Sequence, residues 1–248
     1  MTATPLGLRV IPPGLFGLGR GRRLIERNAL VARKMPWVLA SGVFEPVFYL
    51  LSIGIGIGKL VGEVPGPNHT LVPYATYVAP ALLAASAMNG SVIESTYNVY
   101  FKLKYTRVYE AVLASPMDAT DVARGDIITA LVRGSAYAAI FVVMMALLGD
   151  INSPWGVLAL PAAVLIGFAF AAVGMAGTTY MRGWTDFDFV NLALLPMFLF
   201  STTFYPLSIY PRWLQIVVEC TPLYQGVTLV RALTLGDVGI AMVGNILY

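Results

Sequence analysis

The chain has 248 residues, 58% hydrophobic and 12% charged, with a formal net charge of +3. Soluble domains carry about 25% charged residues, so an ordinary water-soluble fold is excluded. Recurring apolar runs of about 20 residues, each long enough to cross ~30 Å of hydrocarbon, predict an all-α polytopic membrane protein; the alternating segments of a membrane β-barrel are absent.

A single cysteine, Cys220, excludes an internal disulfide and a thiol metal cluster. The single histidine, His69, falls in a Pro/Gly-rich loop and reads as solvated. A pI near 9.0 would suggest nucleic acid for a soluble chain. Here the basic residues gather at membrane edges, which fits topology instead.

Residues 1–36 hold seven basic residues (Arg9, Arg20, Arg22, Arg23, Arg27, Arg33 and Lys34) against one acid, Glu26. Leu24, Ile25, Leu30 and Val31 are interspersed. The pattern predicts a basic tail and then an amphipathic helix over residues 20–34. That helix lies in the interface, its arginines toward anionic headgroups and membrane lipids; a disordered basic tail is the alternative.

The remainder, 37–248, reads as a transmembrane domain. The first span is expected at about 37–57, with Trp37 at the membrane edge and Glu45-Pro46 within it. Its glycine-rich end, Gly54 to Gly58, lacks phosphate-loop spacing and predicts close helix contact or local unwinding. A Pro/Gly loop, Glu63 to Pro73, leads to a second span at about 74–97, rich in alanine, with Glu94 near its end.

Phe101 to Ile127 is the longest charged interruption in the chain. Val108, Ala111, Val112 and Leu113 predict one apolar face on a helix of about two turns. Pro116 stops that helix, and Thr120 is expected to cap the next. The segment is either a solvated loop or a short rigid helix lying across two membrane helices, suited to passing force from a soluble partner.

Further spans are expected at about 127–148, which contains Arg133, at 155–180, with a seam of Gly167, Ala171 and Gly174, and at 189–205. Pro206, Pro211 and Pro222 interrupt an outer region, 206–235. Its two apolar pieces, Trp213–Val218 and Leu223–Leu233, suit a re-entrant pair. The stretch 238–248 reads as the start of a sixth, truncated span.

Twelve basic residues then fall on one side of the membrane, the seven above with Lys102, Lys104, Arg107, Arg124 and Arg182. Three (Lys59, Arg212 and Arg231) fall on the other. This bias predicts a cytoplasmic N-terminus.

Glu45, Glu94 and Arg133 are ionisable groups in apolar segments and functional candidates by that fact. They form either a proton or substrate site, as in an ion-coupled carrier or channel, or a structural charge cluster. Phe198, Phe204 and Tyr205 suit an apolar or sugar-stacking substrate path, and equally suit helix packing. Neither a zinc-binding HExxH nor a serine elbow occurs. The chain thus offers membrane helices and a docking segment without an energy source of its own.

Several pieces, in this order, resemble the transmembrane subunit of ABC-2 type ABC exporters, in particular the nodulation-type permeases that export lipo-oligosaccharides. They are Glu45-Pro46 with YLLSIGIGIGKLVGEV, IESTY around Glu94, YEAVLASP, Arg124-Gly125-Asp126, LPAAVLIGFAFAAVGM, FYPLSIYP and PLYQGVTLVRALTLG. The resemblance implies six transmembrane helices behind an N-terminal interfacial helix, with outer re-entrant helices before the sixth. It implies a coupling helix at about 105–114 (Tyr105, Arg107, Val108, Glu110, Ala111, Val112 and Leu113) seated in a separate ABC ATPase subunit. It further implies a second permease chain, ATP and Mg held on the ATPase rather than here, residence in the plasma membrane, and export of a glycolipid, lipid-linked glycan or drug-like molecule.

Overall fold

The computed structural model describes residues 22–34, 44, 47–66, 70–114 and 116–248. Residues 1–21, most of the first half of the first predicted span including Glu45, and His69 lie outside them. Among the described residues three helices are long and apolar enough to cross a membrane.

The helix expected near the N-terminus forms as α1 (Arg22–Lys34). Ile25 and Asn28, three residues apart and hence on one face, are buried against the bundle, whereas Arg27 and Leu30 are exposed. An apolar helix α2 (Val47–Val61) follows and runs past the expected end at 57. Its glycine-rich stretch opens into π-helical turns, Ser52–Ile57. There a Cβ on Gly54 would stand 3.3 Å from the Cβ of Ala75, a close approach that favours a small residue.

The segment predicted as a Pro/Gly loop is instead a short hairpin, β1 (Glu63–Pro65) antiparallel to β2 (Leu71–Pro73), with Val64 opposite Val72. Gly62, at φ +75°, makes the turn out of α2.

The centre of the fold is α3 (Tyr74–Lys104). Val78, Ala79, Ala81, Leu83, Ala84 and Met88 are fully enclosed, because three other helices pack around this one. Its alanines let those backbones approach. A π-helical stretch, Glu94–Asn98, interrupts it at the glutamate singled out above.

After α4 (Val108–Leu113) the chain enters α5 (Ala119–Leu148), which starts well before the predicted residue 127. The cap is Asp118 rather than Thr120. Asp118 and Asp121 form a capping box, the Asp118 N–H donating to Asp121 Oδ2 at 3.5 Å. The apolar face of α5 is largely exposed, with Val132, Ile140, Val143 and Leu147 turned outward, as suits a lipid-facing helix. The next long helix, α6 (Pro154–Tyr180), opens with a 3-10 turn under Ser153, which accepts from the Trp155 N–H.

The predicted 189–205 span forms as α7 (Asp186–Phe200), of 15 residues. At 1.5 Å per residue it covers roughly 22 Å, less than the ~30 Å of hydrocarbon. The chain then turns through Ser201, Thr202 and Thr203, with Thr202 in the left-handed region at φ +60°. The two apolar pieces of the region expected to lie outside form as α8 (Arg212–Glu219) and α9 (Pro222–Leu235), and a final helix α10 covers Ala241–Leu247.

The placing of Arg231 among the loop charges needs correction. Leu223, Val227, Val230 and Leu233 are buried against α3 and α6, and Arg231 is buried within the same helix rather than in a loop. The reason lies in a close crossing, where a Cβ on Gly226 would come within 2.8 Å of Ile166 Cδ1.

The link between α5 and α6 is fixed by Asp150, which is buried and accepts from the Thr76 hydroxyl at 2.9 Å. Burial pushes its carboxyl above the ordinary 3.8, and the Thr76 hydrogen bond pulls part of the way back. A raised folded value means that the stability this group supplies is complete below the unfolded value and is lost as pH rises through the folded one. Asp150→Asn, which keeps an acceptor for Thr76, is therefore expected to raise thermal stability at pH 7 and to lose that advantage near pH 4. A wild-type-like melting curve at both pH values would show the carboxylate to be solvated.

Candidate functional site

Two regions gather the residues singled out in the sequence. The first is a cavity of about 600 Å³ bounded by α2, α3, α5 and α7. Arg133 Nη1 on α5 donates to Glu94 Oε2 on α3 at 2.8 Å, and both side chains lie in its wall. Asn98 Nδ2 donates to the other Glu94 oxygen at 2.7 Å. The π-helical stretch carries both Glu94 and Asn98, and such turns redirect side chains at functional positions.

Predominantly apolar walls with a few convergent polar groups, including Asn89 and Tyr137, are the make-up of a small-molecule pocket. A cavity of this size is within the usual range of roughly 300–1,000 Å³.

Of the three aromatics proposed as a path, Phe198 lines this cavity. Phe204 does not; it packs edge-on against Phe198 with ring centres 5.6 Å apart. Tyr205 is turned out and more than half exposed. The cavity contact of Tyr137, one helical turn beyond Arg133, was missed by sequence reasoning. Its spacing of four from Arg133 is the signal that was present.

The second region lies at the end of the bundle that carries α4. Of the predicted docking residues, Tyr109 and Val112 face inward and pack with Val99, Leu103, Val122 and Met175, and Val108 is half-buried. Arg107, Glu110, Ala111 and Leu113 face outward. The expected apolar face of Val108, Ala111, Val112 and Leu113 is therefore split between the two sides. Tyr109 takes the buried position that Ala111 and Leu113 were expected to share, because a large aromatic gains more by burial than alanine does.

Arg107 precedes the helix in a left-handed conformation, φ 47°. It meets Glu110 at 4.0 Å, both side chains more than two-thirds exposed. Tyr105 is outside α4 altogether. It follows α3, stacks on Phe101 and accepts a hydrogen bond from the Trp184 indole N–H.

Beneath α4 lies a group that the sequence did not reveal as a site. Asp126 of α5 is buried. Its Oδ1 accepts from Asn28 Nδ2 of α1 at 2.9 Å and from Lys102 Nζ of α3 at 2.8 Å. Its Oδ2 accepts from the Tyr109 hydroxyl of α4. Burial, then the adjacent Asp126 charge, push the Tyr109 hydroxyl well above its ordinary value, so it stays a donor across physiological pH. Among the described residues no three His, Cys, Asp or Glu side chains gather as a metal set would.

The ABC-2 type transporter profile matches residues 21–235. Nodulation protein J of Rhizobium meliloti (strain 1021) is 29% identical over 214 residues, covering 86% of this chain and 80% of that protein. Nodulation protein J of Rhizobium leguminosarum bv. trifolii is 30% identical over 213 residues, covering 85% and 79%. With the matched segment running from α1 through α9 and enclosing both regions described above, the chain belongs to the ABC-2 type transporter family, as a membrane subunit.

Proposed function

We propose that this subunit is the permease of an ATP-driven exporter that moves an amphipathic molecule, a glycolipid, lipid-linked glycan or drug-like compound, outward across the plasma membrane. The observation that carries the reading is the two-sided character of α4. Its inner face is fixed to the bundle by Tyr109, whereas Arg107, Glu110, Ala111 and Leu113 are exposed.

In this reading the partner is an ABC ATPase that holds ATP and Mg²⁺, and a second permease chain completes the complex. The N-terminus and α4 lie in the cytoplasm, as the distribution of arginines and lysines favours. ATP binding draws the motor subunits together, and α4 passes their displacement into α2, α3 and α7. The cavity beside Glu94 and Arg133 gives room for part of an amphipathic substrate, its walls for the apolar portion and the ion pair for a polar head.

The test is Arg107→Ala with Glu110→Ala. An exposed pair at 4.0 Å adds little to stability, so the protein should insert normally. ATP-driven uptake of a fluorescent nitrobenzoxadiazole-labelled glycolipid into inside-out vesicles should fall roughly tenfold, the effect of losing about 1.4 kcal/mol of docking energy. Unchanged uptake, or wild-type protein that purifies without an ATPase, overturns the docking assignment.

A second reading, an ion-coupled carrier or channel, draws on Glu94 and Arg133 in the cavity wall; Glu45, its third member, lies outside the described residues. The pair is mutually neutralised at 2.8 Å, which favours a structural role. Movement of the same probe by the purified chain alone, in liposomes with a proton gradient and no ATP, would favour the carrier.

A further inference from the structure

We infer that Asp126 is the joint through which displacement of α4 reaches the rest of the bundle, an assignment that rests on α4 being the docking helix. Three donors from three different helices converge on this one carboxylate of a fourth: Asn28 of α1, Lys102 of α3 and Tyr109 of α4. Asn28 also donates to Thr129 at 3.3 Å, one turn further along α5. The hub is thus tied twice to α1.

The physical argument concerns what α4 is held by. Six residues are too few to hold a helix by themselves, so its position is set by tertiary contacts. Its apolar contacts, Val112 and the Tyr109 ring among Val99, Leu103, Val122 and Met175, are non-directional and permit sliding. The Tyr109–Asp126 hydrogen bond is directional, and a charged acceptor makes it roughly twice as strong as a neutral one. In a site this enclosed, with Asp126 and Tyr109 both below one-tenth exposure, an unmade partner is costly.

A push on the outer face of α4 therefore moves the carboxylate, and with it the end of α3 and the whole of α1. Asp126 is a positioning residue: it faces the bundle and acts on the partner through Tyr109. It converts a local contact on a two-turn helix into concerted motion of four elements.

Hydrogen–deuterium exchange on the full complex with its ATPase, compared before and after trapping with ATP and vanadate, tests this without a known substrate. In the wild type, trapping is expected to change exchange in both α4 (Val108–Leu113) and α1 (Arg22–Lys34). In Asp126→Asn and Tyr109→Phe the α4 response should persist. The α1 response should shrink roughly fivefold or more, the scale of a typical coupling between sites. A double variant should be no worse than Asp126→Asn alone, since both act through one contact.

Should Asp126→Asn fail to insert, Tyr109→Phe, which removes one hydroxyl, decides alone. An α1 response of wild-type size in the variants, or its absence in the wild type, overturns the joint while leaving the docking helix intact. An α4 that the ATPase never protects overturns both.

Discussion

Arg231→Ala is expected to lower the melting temperature of the detergent-solubilised protein by roughly 10 °C, the equivalent of about 4 kcal/mol for a chain of this size. Arg231 is buried in α9 and stands 3.9 Å over the centre of the Tyr77 ring. Its Nη2 donates to the Thr202 carbonyl at 2.9 Å and its Nε to the Tyr77 carbonyl at 3.3 Å. A desolvated cation–π contact is worth about 2 kcal/mol, and hydrogen bonds from a charged donor about 1.5–3 kcal/mol each, shared non-additively. The same side chain joins α9, α3 and the turn after α7, so alanine removes the side-chain donor to the Thr202 carbonyl and leaves three elements untied.

Arg231→Met should lose about half as much, because it fills part of the space and removes the burial cost of the charge. Arg231→Lys should fall near alanine, since an ammonium cannot stack and fork at once. A shift for Arg231→Ala of less than about 2 °C would mean that the guanidinium is solvated and the pin does not exist.

Gly174→Leu is expected to cost roughly 3 kcal/mol or more through overpacking and to reduce the folded yield in the membrane. A Cβ at Gly174 would collide with Ser95 Oγ and lie 3.3 Å from Thr96 Cγ2. All three residues are buried where α6 crosses α3. A whole leucine there separates the two helices that pack most extensively in the fold, and α9, seated on both, is displaced with them.

Gly177 is the internal control. Three residues on, a Cβ there would meet nothing within 4 Å, so Gly177→Leu should be tolerated. Gly174→Ala should show a milder loss, and Ser95→Ala should restore it by removing the clashing oxygen. Equal behaviour of Gly174→Leu and Gly177→Leu in size-exclusion profiles would show that the seam is not close-packed.

These two positions differ in how far they could be read from the chain. Gly174 stands with Gly167 and Ala171 at helical spacing in an apolar run, and a small-residue stripe in such a run has few uses besides close helix contact. Arg231 looked like a loop charge because prolines cut the surrounding sequence. Whether a charge is enclosed depends on which carbonyls and rings converge on it. Here they come from Tyr77 and Thr202, 154 and 29 residues away.

The candidate site divides in the same way. Glu94 and Arg133 were legible because an ionisable side chain in an apolar helix needs a partner, and they do meet across α3 and α5. The short helix α4 was legible from its apolar residues and the proline after it, but its inward face was not. Over two turns any of several residues completes an apolar stripe, and the bundle selected Tyr109.

Local chemistry was thus decided by the amino-acid order alone: a helical membrane protein, a short helix stopped by a proline between two long helices, and ionisable groups in apolar runs that need partners. Each follows from length, periodicity, turn residues or the cost of a bare charge, all of which act within one segment. Tertiary structure decided what meets across segments, namely the carboxylate of Asp126 under three donors, the enclosure of Arg231, and the central place of α3. Those outcomes depend on the geometry of several helices at once, and no window of a single chain contains it.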